Sequence, residues 1–209
     1  MSESYAVSEK RELLLDKVKK FILDNGGIVK KSQLAGLGID YRRILDFVEK
    51  GDLIRIKSGY YTIRIGDYSE DELIAKLFPD AVLTMECALY VYGYIKRKPY
   101  GYQVAVDKNT SKSRFKLEFP KVTPVYAEPE TLQFGVDSID FGNAKMQIFD
   151  KDRLICECLK YEDKMERTVF KEGVLSYIKD EKKDVAKLMK YARERRVVKK
   201  VQSMIGVWL

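Results

Sequence analysis

Histidine is absent from this 209-residue sequence, cysteine occurs only three times, and no apolar run approaches the length of a bilayer span. Without histidine, Ser-His-Asp and Cys-His catalysis are both excluded, so any enzyme here would have to work with carboxylates, lysine or tyrosine. Cys87, Cys156 and Cys158 are an odd number with one C-x-C pair, which is not a disulfide framework. With no histidine and no fourth cysteine they do not make a zinc site either, and they are expected to be small apolar fillers on helices. A helical membrane span needs about 20 consecutive apolar residues, so none is expected. Residues 1–20 are polar and charged, with neither an apolar signal segment nor a cleavage site, and the expectation is an unprocessed cytoplasmic protein. Internal repeats and low-complexity stretches are lacking as well.

What is present is a balance able to build a core, with 45% hydrophobic and 34% charged residues. The net charge is +7 and it is unevenly placed. Residues 1–66 hold 13 Lys and Arg against 9 Asp and Glu, residues 67–159 hold 12 against 15, and residues 160–209 hold 14 against 8. Two basic ends thus flank a slightly acidic middle. Basic surfaces suit a polyanionic partner, nucleic acid above all, although a solvated lysine-rich surface accounts for the charge equally well.

The first 66 residues read as helix, helix, turn, helix and hairpin. Leu13, Leu14, Val18, Phe21 and Ile22 fall on one face of a helix expected to be capped by Ser8 and to end at Gly26-Gly27. Ile28-Val29-Lys30 is extended, and Ser32 is the expected cap of a short second helix. Asp40 caps a third helix over Tyr41 to Lys50, with Ile44, Leu45 and Val48 as its inner face. Strands over Leu53 to Ile56 and Tyr60 to Ile65 flank the turn Lys57-Ser58-Gly59. Gly66-Asp67-Tyr68 reads as a linker. The S-x-x-E capping box of Ser69 and Glu72 then opens a helix up to Phe78, and Thr84 caps another over Met85 to Tyr92. Extended structure is predicted for 103–106, 114–119, 122–126, 138–141 and 145–149, with Gly142-Asn143 as a hairpin turn. Helices are predicted for 151–160, 167–180, 182–195 and 197–206.

This order of elements is that of a winged helix-turn-helix. Docked on duplex DNA, such a domain places its third helix in the major groove and its wing on the flanking backbone. Tyr41, Arg42 and Arg43 open the third helix, and arginine can pair bidentately with guanine. Lys30, Lys31 and Ser32 start the second helix, where N–H groups and positive charge suit a phosphate. Arg55, Lys57, Ser58 and Tyr60 lie on the wing. Winged helices also serve as protein–protein modules, but arginine at a helix start opposes the helix dipole and points to a separate purpose. Near the other end, Val185, Leu188, Met189 and Ala192 share a stripe, leaving Lys183, Lys187, Lys190 and Arg193 on a second basic surface. That surface is either simply solvated, a continuation of the DNA contact, or a face toward an RNA or nucleotide held by a partner.

Three later stretches carry a family resemblance. They are Leu83-Thr84-Met85-Glu86-Cys87-Ala88-Leu89-Tyr90-Val91-Tyr92-Gly93-Tyr94, Val122-Thr123-Pro124-Val125-Tyr126, and Phe149-Asp150-Lys151-Asp152-Arg153-Leu154-Ile155-Cys156-Glu157-Cys158-Leu159. Together with the N-terminal segment and its Tyr60 to Ile63 strand, they resemble the AbiEi antitoxins, the regulatory half of AbiE abortive-infection toxin–antitoxin systems. The sequence departs from the family pattern at Cys87, at Leu154 and at Glu157-Cys158, where serine, threonine and aspartate are usual. The resemblance implies a repressor that binds double-stranded DNA at inverted repeats in its own promoter. It also implies a second domain that counteracts a nucleotidyltransferase-like toxin in type IV fashion, with no stable complex required, no cofactor and no catalysis, within a phage-resistance system.

The expected fold is therefore α+β: a winged helix-turn-helix DNA-binding domain over residues 1–66, then a mixed α/β antitoxin domain over 67–209 with a central, mostly antiparallel sheet and C-terminal helices. Two other readings remain open. One is a winged-helix regulator whose second domain senses a ligand. The other is a PD-(D/E)xK-like nuclease using Asp80, Asp107, Lys108 and Glu157, although no (D/E)-x-K follows Pro79-Asp80 at a workable spacing.

Overall fold

The computed structural model describes residues 2–64, 66, 68–117 and 119–206, with side chains from Glu9 onward. The chain divides into two compact units, Met1–Leu77 and Phe78–Leu209.

In the first unit, helix α1 runs from Ser2 to Asp24, so Ser8 lies within it and is not its cap; the Ser8 side chain is outside those described. The strand β1 (Val29–Lys30), the helices α2 (Lys31–Gly36) and α3 (Tyr41–Glu49), and the hairpin β2 (Ile54–Lys57) and β3 (Tyr60–Thr62) follow. The strands form one antiparallel sheet in the order β1-β3-β2. The C-terminal end expected for the last strand, Ile65, lies outside the described residues, as does Asp67 of the Gly66–Tyr68 stretch. Leu15, Val18 and Ile22 of α1 bury against Leu34, Ile39, Ile44, Phe47, Leu53 and Tyr61. The inner face of α3 differs from the expectation: Ile44 and Phe47 are buried, whereas Leu45 is exposed. Ile44 and Phe47 are three apart and share one face, which Leu45 does not. Helix α4 (Glu70–Leu77) belongs to this unit. Ser69 Oγ accepts from Glu72 N at 3.1 Å, one of the two bonds of the expected capping box, while the Glu72 carboxylate pairs with Lys76. Lys76 Nζ donates to the Gly26 carbonyl at 3.0 Å and pairs with Glu72 at 2.9 Å, fastening α4 to the turn that ends α1. That attachment explains why the division falls after Leu77.

The second unit is built on a five-stranded sheet. Its strands are β4 (Val82–Leu83), β5 (Tyr102–Asp107), β6 (Val122–Ala127), β7 (Val136–Phe141) and β8 (Ala144–Phe149), in the order β6-β5-β4-β8-β7. Pairings β4–β5 and β7–β8 are antiparallel, and β4–β8 and β5–β6 are parallel. The sheet is thus evenly mixed, not mostly antiparallel. The central strand β4 was not foreseen. It is two residues long, both fully buried, and so shows no alternation. The strand expected over 114–119 is replaced by a 3-10 turn at Lys112–Phe115, with Glu118 outside the described residues. Local contacts win there: Ser111 accepts from Ser113 N, and the Phe115 ring stacks on Phe78 at 5.3 Å.

Five helices complete the unit: α5 (Met85–Val91), α6 (Lys151–Lys160), α7 (Arg167–Lys179), α8 (Val185–Glu194) and α9 (Val198–Met204). Helix α6 is buried almost all round, from Asp152 to Leu159. Its buried charges are paired. Glu157 accepts from Arg195 Nε at 2.5 Å and Nη2 at 2.9 Å, and it pairs with Arg153 at 2.9 Å. Arg153 also donates to the Thr131 carbonyl and lies over the Phe134 and Phe149 rings at 4.2 and 4.7 Å. Burial pulls the Arg153 guanidinium down to about 10. Burial works in the same direction on Arg195, but its bonds to Glu157 more than offset that. Gly135 makes this packing possible: at φ +66°, a Cβ there would sit 2.7 Å from Arg153 Cβ. The cysteines are buried fillers, as expected, and burial pushes the Cys156 thiol up to about 12.

Candidate nucleic-acid interface

The start of α2 is pinned to the tip of the hairpin. Lys31 N donates to the Gly59 carbonyl at 2.8 Å, and Lys30 pairs with Tyr60 in the sheet register. Lys30, not Ser32, takes the cap position of α2, and its backbone N–H donates to Gln33 Oε1 at 2.8 Å. Ser32 is an exposed residue of the first turn, because β1 runs directly into the helix and leaves no loop residue to cap it.

These attachments gather one group of the expected residues. Lys57 Nζ and Lys30 Nζ lie 5.1 and 5.8 Å from the Tyr60 ring, and Lys31 Nζ lies 4.8 Å from the Tyr41 ring. Aromatic faces thus orient three lysines at the junction of α2, α3 and the hairpin. Ser58 is exposed at the hairpin tip, and Arg55 is exposed on β2 opposite Tyr61. Burial, then neighbouring Tyr41, raises the Tyr61 phenol above its ordinary range, so it stays neutral beneath this surface.

Arg42 and Arg43 belong to a second group. Asp40 caps α3 by accepting from Arg43 N at 2.9 Å, which fixes the turn that displays both arginines. They line a cleft of about 640 Å³ with Lys10, Arg11, Asp46 and Lys50, over Leu14 and Phe47. Arg11 ties the cleft together, donating to Asp46 at 2.9 Å and to Asp52 at 2.5 Å. Hydrogen bonds from Lys50 and Arg11 hold the Asp46 carboxyl below its usual range, and Asp52 and Asp46 in turn raise Arg11. Lys10, Arg11 and Lys50 were missed from sequence. The signal was the spacing of Arg43, Asp46, Phe47 and Lys50 at i, i+3, i+4 and i+7, which points one α3 face toward α1.

The residues of the second basic surface are on or beside α8. Lys187, Lys190 and Arg193 are exposed, and half-buried Lys183 donates to the Asp180 carbonyl at 3.4 Å. Of the expected apolar stripe, Leu188 and Ala192 are buried and Met189 is half-buried, but Val185 is exposed, since it stands in the first turn of α8 directly after the loop.

The carboxylates weighed for a nuclease are each held by a different partner. Asp80 is gripped by both Arg114 guanidinium nitrogens, Asp107 accepts from Asn109 N at 2.8 Å, Lys108 pairs with Glu128, and Glu157 is buried between Arg153 and Arg195. Among the described residues there is no grouping of three or more His, Cys, Asp or Glu able to hold a metal ion. Among them, too, no helix is long and apolar enough to cross a membrane.

Residues 16–64 match the AbiEi antitoxin family of transcriptional regulators, which supports the AbiEi-family resemblance read from the sequence. The match covers α1 through β3, not the three later stretches on which that resemblance chiefly rested. The chain has no match among curated proteins.

Proposed function

We propose that the first unit is a winged helix-turn-helix that represses the protein's own operon by binding inverted repeats in its promoter. The second unit, on this reading, is a non-enzymatic antitoxin domain that counteracts a nucleotidyltransferase-like toxin. The observation that carries the proposal is the coincidence of the family match at 16–64 with the exposed set Lys30, Lys31, Tyr41, Arg42, Arg43 and Arg55. Arg42 and Arg43 read base edges, the lysines meet phosphates, and Ser58 and Tyr60 support the wing.

The test is a fluorescence-anisotropy titration with a duplex carrying the promoter repeats. Replacing Arg42 and Arg43 together by alanine should cost about 1–3 kcal/mol for each base that an arginine no longer reads. Rescue of cells expressing the toxin should persist in this variant. Unchanged affinity would remove the assignment of α3, and lost rescue in a folded protein would refute the separation of the two arms.

The second basic surface is proposed to contact DNA as well, through the exposed Lys187, Lys190 and Arg193. Exchanging Lys187, Lys190 and Arg193 for glutamine should flatten the log–log salt dependence by about 0.9 for each phosphate no longer neutralised. A slope equal to that of the wild type would exclude α8 from the DNA interface.

A further inference from the structure

Outside the elements assigned above, the second unit exposes two aromatic rings: Tyr100 is 85% exposed and Phe119 61%. The backbone holds their segments side by side. Tyr102 pairs with Val122 in the parallel register of β5 and β6, and Tyr102 N donates to the Lys121 carbonyl at 2.8 Å. At Gly101, φ is +87° and an added Cβ would lie 2.5 Å from that carbonyl, so glycine is what allows the approach. Tyr100 and Phe119 therefore lead into the same end of one strand pair. The same two segments carry lysines: Lys96, Lys98 and Lys121 are exposed, and Lys98 Nζ stands 5.9 Å from the Tyr102 ring. Arg97, between two of these lysines, is paired with Glu166 at 2.9 Å. Residues 94–102 contain three cations and no acidic residue. The facing segment 116–121 adds Lys116 and Lys121 against one acid, Glu118, which lies outside the described residues.

We propose that this edge binds single-stranded nucleic acid, with Tyr100 and Phe119 stacking on unpaired bases and Lys96, Lys98 and Lys121 meeting the phosphates. The chemistry favours this occupant. Exposed rings beside an excess of lysines match a strand that offers a base face and an anionic backbone in each repeat. Duplex DNA hides its base faces within the stack, so the rings would have nothing to stack on. The lysines give flexible point charges without the bidentate geometry that reads base edges, so little sequence preference is expected. The site is separate from the duplex interface proposed for the first unit and stands or falls independently of it.

The test uses the full-length protein and fluorescein-labelled oligouridine and oligodeoxyuridine of about 12 nucleotides, within the span such sites cover. Binding to either supports the proposal, and a preference for oligouridine would show that the 2′-hydroxyl is read. Tyr100→Ala and Phe119→Ala should each weaken binding at least about 5-fold, the lower end of what stacking supplies, while Tyr100→Phe keeps the ring and the affinity. Glutamine at Lys96, Lys98 and Lys121 should flatten the salt slope by about 0.7 for each phosphate no longer neutralised. Both rings are on the surface, so these variants should fold, and an unchanged circular-dichroism spectrum and urea midpoint check this. Failure of both oligonucleotides to bind would overturn the proposal. So would binding that survives loss of both rings, or binding abolished by the Arg42 and Arg43 double variant alone, which would place it in the first unit.

Discussion

The two units differ in how much charge they carry into their interiors. In the first, the cations sit on the surface: Lys30, Lys31, Arg42, Arg43 and Arg55 are exposed around an apolar core of α1, α2, α3 and the hairpin. In the second, charge is carried into the interior, where Arg153 is fully buried and Glu157 and Arg195 nearly so. Surface cations cost little to hold and are available to a polyanion. Buried ones are costly to desolvate, and here the shared carboxylate of Glu157 offsets that cost by tying α6 to Arg195 at the end of α8. Among the described residues Arg153 Nε and Nη1 have no hydrogen-bond partner, and they rely on Glu157 and the flanking rings. Exposed charge is suited to meeting a polyanion, and the second unit carries it too, at Lys187, Lys190 and Arg193; what sets that unit apart is the buried cluster, which is suited to keeping a fixed shape.

The sharpest break of this comparison is at Glu157. It is the carboxylate shared by Arg153 and Arg195, so Glu157→Gln leaves two buried guanidiniums with too little negative charge. Removing one partner of a buried pair costs about 3–5 kcal/mol. Urea denaturation should show that loss, and Arg42→Ala should show almost none by the same measure. Equal stability of the Glu157 variant and the wild type would mean that the buried cluster is not what organises the second unit.

The same contrast explains what could be read in advance. The helices of the first unit, the α3 cap at Asp40 and the hairpin were legible because each has a local signal: a capping side chain, a glycine turn or a periodic apolar face. The β7–β8 hairpin was legible at Gly142-Asn143 for the same reason. The buried triad was not, because Arg153, Glu157 and Arg195 look like ordinary surface charges until α6 is enclosed on all sides. Strand β4 was missed because two residues carry no period, and the parallel pairings because register is set by tertiary packing. In the candidate interface most of the chosen residues are exposed and Lys57 and Tyr60 are half-buried, but chain order did not reveal that Lys10 and Arg11 of α1 would join Arg42 and Arg43 in one cleft.

A smaller effect probes the border between the two uses of charge. Asp180 accepts from Tyr94 Oη at 2.6 Å and from Lys151 Nζ at 2.5 Å, half in and half out of the second unit's core. Those bonds, Lys151 first and Tyr94 second, hold its carboxyl down at about 2. An acid whose folded-state value is depressed adds stability above its unfolded value of about 4, and that stability is lost as the pH falls toward 2. Asp180→Asn should therefore cost about 1–2 kcal/mol at neutral pH after allowance for solvent screening, with the gap to the wild type closing between about pH 4 and pH 2. A gap constant across that range would show that the pair with Lys151 contributes nothing through charge.

The smallest effect is expected at Asp40, and it sharpens the comparison on the first unit's side. Asp40 Oδ1 accepts from Arg43 N at 2.9 Å, while Oδ2 stands 3.6 Å from Arg43 Nε. The residue thus has two roles, capping the helix that presents Tyr41, Arg42 and Arg43, and placing a negative charge beside the surface proposed to meet DNA. Asparagine caps a helix about as well as aspartate, whereas alanine does not. Asp40→Ala should lower stability by about 1 kcal/mol, and Asp40→Asn by no more than a few tenths. DNA binding should divide the other way. Asp40→Asn removes a repulsive charge and keeps the first turn of α3, so it should bind the promoter duplex somewhat more tightly at low salt, an advantage that fades as salt screens it. Asp40→Ala removes the same charge but frays the turn, and should gain less or lose affinity. If both variants lose the same stability and the same affinity, the cap does not govern how α3 displays its arginines, and the outward charge of the first unit is held in place by something other than its helix start.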